Sequence, residues 1–160
     1  MYSKAQESNG SEIEPEQELG LLRSRYAALA SFRLQLRHFL AFSEAAATKV
    51  GVPPQQHQAL LAIAGHAGTE PPSVGVIAKQ LLIAPNSAAE LVSRMVEAGL
   101  LEKTPSSQDR RRTELSLTQT ASDLLRRLTA AHIEELKTLE AALTRALGKH
   151  CVAGPLRKST

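Results

Sequence analysis

The chain has 160 residues, of which 42% are apolar and 22% charged, so it is long enough for one folded domain of ordinary composition. Its longest apolar stretch, residues 59–64, is far shorter than the ~20 residues of a membrane-spanning helix, and its Glu-rich start argues against a secretory signal. We therefore expect a cytoplasmic protein with no membrane partner.

The formal net charge is +3, but the start of the chain and the rest of it differ in sign. Residues 1–20 contain one Lys and five Glu, a net charge of −4, which leaves +7 on the other 140 residues. A basic body suggests a polyanionic partner, of which nucleic acid is the commonest. Many basic soluble proteins bind no nucleic acid, so charge alone does not decide the function.

The first third of the chain predicts a polar leader and two helices. Residues 1–18 are acidic and lack periodicity, whereas residues 19–50 repeat apolar side chains every three or four positions, as one long amphipathic helix does. Pro53 and Pro54 follow Gly51 and open a second helix over residues 55 to about 66, because proline fits a first helical turn.

A helix-turn-helix is predicted after the loop at residues 65–72. Ser73 is expected to cap a short helix over residues 74–82. Pro85 opens the next helix, which should end near Ala98 because Gly99 suits left-handed backbone. Two short helices joined by a tight turn are the outline of this motif.

The pattern changes to strands after Gly99. Residues 100–104 and 111–117 predict two strands of a β-hairpin, joined by a turn at residues 105–109. Thr118 is expected to cap a last long helix that ends at Gly148, before a loose tail over residues 148–160. The predicted fold class is therefore mainly α with a small β-hairpin wing.

This order of elements resembles the MarR family of winged helix-turn-helix regulators. The most specific feature is the wing, where that family shows Asp-x-Arg followed by Leu-Thr six residues after the Arg. Asp109, Arg111, Leu117 and Thr118 stand at those positions. The exit of the recognition helix, residues 96–103, looks similar too.

Two positions depart from the family pattern. Ala121 stands where the family commonly has Gly, which indicates a continuous helix start. Ala84 occupies the position where Ser or Thr usually caps the recognition helix, and a missing cap costs about 1 kcal/mol. Neither departure removes a group that would contact DNA.

The resemblance implies a bacterial homodimeric regulator, most often a repressor. Residues 51–118 would form the DNA-binding lobe, and residues 19–50 and 119–147 would form the dimerisation helices. Two recognition helices about one DNA turn apart, ~34 Å, would bind a pseudo-palindromic operator. In the family a small-molecule effector, often an aromatic acid or related anion, releases the DNA. Activation instead of repression stays open.

The residues expected to contact DNA lie on the recognition helix and the wing. A helix in the major groove presents its N-terminal turns to base edges, so Asn86 suits adenine and Arg94 suits guanine or phosphate. By similarity to the family, Arg111 would enter the minor groove while Asp109 pairs with a neighbouring Arg. The alternative is a merely solvated polar surface. The full set is Asn86, Ser87, Glu90, Ser93, Arg94, Lys103, Asp109, Arg110, Arg111 and Arg112.

The sequence is less informative about an effector, a cofactor or a metal. No cofactor is expected, and no two of the five histidines stand three or four residues apart, so no metal site is predicted. His132 interrupts a leucine stripe and is expected to be a satisfied core or interface residue, and Cys151 a free thiol. Effector contacts could come from residues that equally fit ordinary surface or core positions: Tyr26, Arg33, Arg37, His38, His57 and His66.

An enzyme is disfavoured because the sequence has no Gly-rich phosphate loop, nucleophile elbow, clustered metal ligands or evident carboxylate pair. The remaining alternative is a winged-helix module that binds DNA without sequence preference or binds another protein. Three consecutive arginines argue against a pure protein-interaction module.

Overall fold

The computed structural model describes residues 15–107 and 112–148 and confirms the mainly helical fold with a hairpin. Within the described part, no helix is long and apolar enough to cross a membrane. Five helices and one two-stranded antiparallel sheet follow one another: α1 (Pro15–Lys49), α2 (Pro54–Ala64), α3 (Val74–Leu81), α4 (Pro85–Glu97), β1 (Leu101–Pro105), β2 (Thr113–Leu117) and α5 (Gln119–Gly148).

In the described residues, the chain divides into two compact units, one formed by residues 15–36 and 139–148 and the other by residues 37–107 and 112–138. In the first unit, the described part of α1 begins at Pro15, four residues before the predicted start. Proline fits a first helical turn, and Glu16 and Glu18 interact favourably with the positive end of the helix dipole. The division predicted from the sequence, with a leader over residues 1–18, a DNA-binding lobe over residues 51–118 and dimerisation helices on either side of that lobe, remains a prediction.

The second unit has a core made from the inward sides of α2, α3 and α4, the hairpin and the start of α5. Leu60, Ile77, Leu91 and Met95 are among its fully buried side chains. Burying one such side chain stabilises a fold by about 1.5–3 kcal/mol. This core fixes α4 and the hairpin against each other, and both belong to the candidate site.

The ends of the helices follow the sequence signals in three of the four cases compared. Gly99 has φ = +68°, as predicted for the residue after Ala98, and Thr118 caps α5 by accepting from the backbone N–H of Ala121 at 3.2 Å. Ser73 occupies the N-cap position of α3 as predicted, although its side chain forms no capping hydrogen bond. Leu82 has φ = +55° and therefore lies outside α3, which ends one residue earlier than predicted.

The hairpin pairs Leu101 with Leu117 and Lys103 with Leu115. Leu101 and Leu115 are buried on one face of the sheet, while the paired Glu102 and Ser116 on the other face are exposed, so the strands present one face to the core and one to solvent. The backbone N–H of Leu115 donates to the carbonyl oxygen of Pro72 at 2.9 Å. The hairpin is thereby attached to the loop between α2 and α3.

Candidate nucleic-acid interface

Helix α4 presents a polar side to solvent because its apolar side is fully used in the core. Ala88, Leu91, Val92 and Met95 are buried. The first turn has Ala84 at its N-cap, without a side-chain capping bond, so its N–H groups lack the internal acceptor that a Ser or Thr would supply. All the base-reading candidates of this helix are exposed: Asn86, Ser87, Glu90, Ser93 and Arg94.

A side-chain hydrogen bond joins the recognition helix to the wing. The Nζ of Lys103, on β1, donates to the Oγ of Ser93, on α4, at 3.3 Å. Both residues are exposed, and Arg94 follows Ser93 directly. The structure therefore brings Ser93 and Lys103 together on one surface, as a combined helix-and-wing contact with DNA requires.

The remaining wing cation in the described residues, Arg112, is engaged within the protein. Its Nη1 forms an ion pair with Oε2 of Glu70, in the loop between α2 and α3. Sequence reasoning missed Glu70, because it lies 42 residues from Arg112 and belongs to no periodic pattern. Asp109, Arg110 and Arg111 lie outside the described residues, so their predicted roles remain predictions.

A buried histidine pair connects α2 with α1 and α5 inside the second unit. The rings of His57 and His132 have centroids 4.9 Å apart, and Phe39 and Phe42 make edge contacts with His132. His57 is 2% exposed, so this effector candidate lies in the interior of the second unit. Burial, with a smaller contribution from the nearby His132, lowers the pKa of His57 below its ordinary value of 6.5.

Both ring nitrogens of His132 have partners. Nδ1 lies 2.7 Å from the carbonyl oxygen of Leu128, and Nε2 lies 2.8 Å from the Oγ of Ser43. A carbonyl oxygen only accepts, so Nδ1 donates; in the neutral ring Nε2 then accepts from the Ser43 hydroxyl. The expectation of a satisfied, buried histidine at position 132 is confirmed.

The other effector candidates are dispersed. Tyr26 and Arg33 belong to the first unit, whereas Arg37 and His38 are exposed on the part of α1 that lies in the second. His66 lies in the loop after α2, where its Nε2 contacts the carbonyl oxygen of Glu70 at 3.0 Å. Their role in effector binding remains a prediction.

A groove of about 590 Å³ lies on the second unit, and none of these candidates lines it. Ala64 and Leu117 form one part of its wall, and α5 contributes the rest through Ser122, Leu125, Arg126, Thr129 and Ala130. Sequence reasoning did not single out this groove, since its walls come from three separated segments. Among the described residues, no group of three or more His, Cys, Asp or Glu side chains could hold a metal ion.

Comparison with known proteins shows that part of the chain is similar to a known family. The model of the MarR family matches residues 50–112, which contain α2, α3, α4 and β1, the first strand of the wing. No curated protein matches the chain.

Solved structures share the fold at low sequence identity. The Staphylococcus aureus MepR–DNA complex is 19% identical, with a TM-score of 0.61, and the match covers 75% of this chain and 87% of that one. A second MepR structure is described as that of a transcription regulator of the multidrug efflux pump MepA. It is 18% identical, with a TM-score of 0.59, and the match again covers 75% of this chain and 87% of that one.

A MarR transcriptional regulator from Methanosarcina mazei Go1 is 15% identical, with a TM-score of 0.57, and the match covers 70% of this chain and 78% of that one. At these sequence identities, the similarity establishes a common fold and no shared function. The chain is therefore similar to the MarR family of transcription regulators over residues 50–112, and it shares the winged helix-turn-helix fold of solved MarR structures.

Proposed function

We propose that the protein is a sequence-specific DNA-binding repressor that acts as a homodimer and is released by a small-molecule effector. The observation that carries this proposal is the exposed polar side of α4, joined to the wing by the hydrogen bond between Lys103 and Ser93. A helix and a wing presented together match the geometry with which winged helices read the major groove and its neighbouring backbone. The DNA complex of MepR, which shares this fold, supports the same use.

Homodimer formation would give the exposed apolar side chains of the long helices a partner. Tyr26 and Leu29 on α1 are 64% and 61% exposed, and Ile133 and Leu136 on α5 are 46% and 40% exposed. Large exposed apolar surfaces mark interaction sites. A two-fold dimer would place two copies of α4 about one DNA turn apart, ~34 Å, and would bind a pseudo-palindromic operator.

The groove along α5 is our candidate effector site. Its lining is mainly apolar, with Leu117 and Leu125 beside the space for an aromatic ring. The exposed Arg126 pairs with Asp123 and can exchange that carboxylate for the carboxylate of an effector. An aromatic acid fits this combination. An effector bound there could change the separation of the recognition helices in the dimer, and the operator would then fit less well.

The test is a titration of the purified protein with the DNA upstream of its own gene, at two salt concentrations and with excess competitor DNA. We expect saturable, competitor-resistant and salt-sensitive binding by a dimer. Arg94→Ala should weaken binding to the preferred site by about 1–3 kcal/mol. Arg127→Ala removes an exposed cation from α5 instead and serves as the matched control. Aromatic acids are then added to the preformed complex.

Equal losses for Arg94→Ala and Arg127→Ala would contradict the recognition role of α4. Binding without preference over competitor would favour the second candidate function, an architectural winged-helix module that recognises DNA shape and charge alone. That alternative draws on the basic wing, because phosphate contacts carry no sequence information. Failure of every aromatic acid to release DNA would contradict the effector proposal only.

A further inference from the structure

A backbone hydrogen bond and an ion pair connect the wing to the loop between α2 and α3. Beyond the bond from Leu115 to Pro72, the guanidinium of Arg112 pairs with the carboxylate of Glu70. The backbone N–H of Ser106 donates to the carbonyl oxygen of Arg112 at 3.0 Å and extends the hairpin pairing by one step toward its loop. Arg112 therefore lies where the wing loop meets β2, and its guanidinium contacts Glu70.

The loop is shaped in a way that holds Glu70 in place. The Nε2 of His66 donates to the backbone carbonyl of Glu70 at 3.0 Å. A Cβ added at Gly68 would lie 2.5 Å from the same Nε2, so the ring can occupy this position because residue 68 is glycine. Glu70 is thus positioned by local contacts as well as by its pairing with Arg112.

A carboxylate and a phosphate are alternative partners for one guanidinium, because both offer two oxygens that match its fork of N–H donors. The side chains of Arg112 and Glu70 are 42% and 54% exposed, and exposed ion pairs are weak. A duplex has a high density of phosphates and can therefore compete for Arg112. While Glu70 is paired with Arg112, the wing offers one cation fewer to DNA. The negative charge of Glu70 also repels the phosphates.

We propose that Glu70 is an intramolecular competitor of DNA for Arg112. DNA gains Arg112 as a phosphate contact only when it displaces the Glu70 carboxylate, so Glu70 lowers the affinity of the protein for duplexes of any sequence. This inference rests on the proposed DNA-binding function. It assigns an affinity-determining role to a residue outside the recognition helix and the wing.

The experiment measures the dissociation constant for a duplex, against salt concentration, for the wild type and four variants of the whole chain. Glu70→Gln keeps the shape of the side chain and removes its charge. Glu70, Arg112 and Glu114 line one cavity of about 240 Å³. Glu114→Gln is the matched control, because Glu114 forms no ion pair within the described residues. Arg112→Gln is made alone and together with Glu70→Gln, to complete a double-mutant cycle.

We expect Glu70→Gln to tighten binding about two- to fivefold, the factor that corresponds to one exposed ion pair. The plot of log affinity against log salt should steepen by about one phosphate contact. Glu114→Gln should give a smaller gain and no change in slope. Arg112→Gln should cost more affinity when residue 70 is Gln than when it is Glu, because only then is Arg112 free to bind phosphate.

Equal gains for Glu70→Gln and Glu114→Gln would overturn the proposal, since they would reflect general charge. Weaker binding by Glu70→Gln would overturn it too, because Glu70 would then assist the wing. If neither the wild type nor Glu70→Gln binds duplex at low salt, the proposed function fails and this inference fails with it. A wild type that binds DNA, with no coupling between positions 70 and 112, would reject the competition alone. Unchanged thermal unfolding of Glu70→Gln verifies that the variant is folded.

Discussion

At the scale of single residues, the structure assigns the histidines different environments. His57 and His132 are buried and in contact, whereas His38 is exposed on α1. A cation is costly in a buried, apolar surrounding, and a second imidazole in contact adds repulsion when both are charged. Protonation of His57 is therefore opposed in the folded state only.

We predict that the folded protein loses stability when the pH is lowered through the region just below 6.5. The pKa of His57 is lowered on folding, so the unfolded chain takes up the proton first and unfolding becomes easier. The effect is absent above the ordinary histidine pKa and reaches its full size below the folded-state pKa. Chemical denaturation between pH 7.5 and 5.5 measures it.

His57→Gln should flatten this pH dependence, even if the variant is less stable at every pH. The control is His38→Gln, which removes an exposed histidine and should leave the slope as in the wild type. A wild-type slope that persists in His57→Gln would assign the effect to other groups.

At the scale of elements, Thr118 joins the end of the wing to the start of α5. Its Oγ1 donates to the carbonyl oxygen of Gly99 at 2.8 Å and accepts from the N–H of Ala121 at 3.2 Å. Its backbone N–H also donates to the carbonyl oxygen of Leu100 at 3.1 Å. One residue thus caps a helix and ties it to the segment that leaves the recognition helix.

We predict that Thr118→Ala lowers the free energy of unfolding by about 1–2 kcal/mol, because the cap and the bond to Gly99 are both lost. Thr118→Ser keeps the hydroxyl and should recover most of the loss. Thr129→Ala makes the same change within α5, where the hydroxyl only bonds back to Leu125, and should be close to neutral. Urea denaturation measures all three, and similar losses for both alanine variants would contradict the capping role.

At the scale of the whole molecule, the long helices carry more exposed apolar surface than a solitary chain needs. Leu29 is 61% exposed on α1, and the apolar side chains at positions 19, 26 and 34 are 49–64% exposed. The proposed dimer would cover such surface.

We predict that Leu29→Glu gives a monomer that binds its operator much more weakly, because one recognition helix alone makes half of the contacts. Analytical ultracentrifugation and DNA titration measure the two effects. Gln17→Glu adds the same charge at an exposed position of α1 about 120° around the helix from Leu29, away from the apolar positions 19, 26 and 34, and should leave the dimer intact. A wild type that sediments as a monomer, or a dimer that persists in Leu29→Glu, would count against this surface as the interface.

Local patterns predicted most of the fold. The order of the elements, the buried side of α4 and the positive φ of Gly99 were all accessible, because periodicity and the special backbones of Gly and Pro act within a few residues. The structure differs from these local signals at two positions, where contacts outside the local sequence decide the conformation. Ser73 is a good capping residue by type but makes no capping bond, and Leu82 adopts left-handed backbone, which its residue type disfavours.

The sequence by itself determined the helix-turn-helix, the hairpin and the basic character of the wing, since each depends on residues close together in the chain. Only the tertiary structure decided which partners these residues have. Glu70 and Arg112 are 42 residues apart, and Ser43 and His132 are 89 apart, yet each pair is in contact. Such contacts depend on how packed elements bring distant segments together, and a pattern read along the chain does not contain that information.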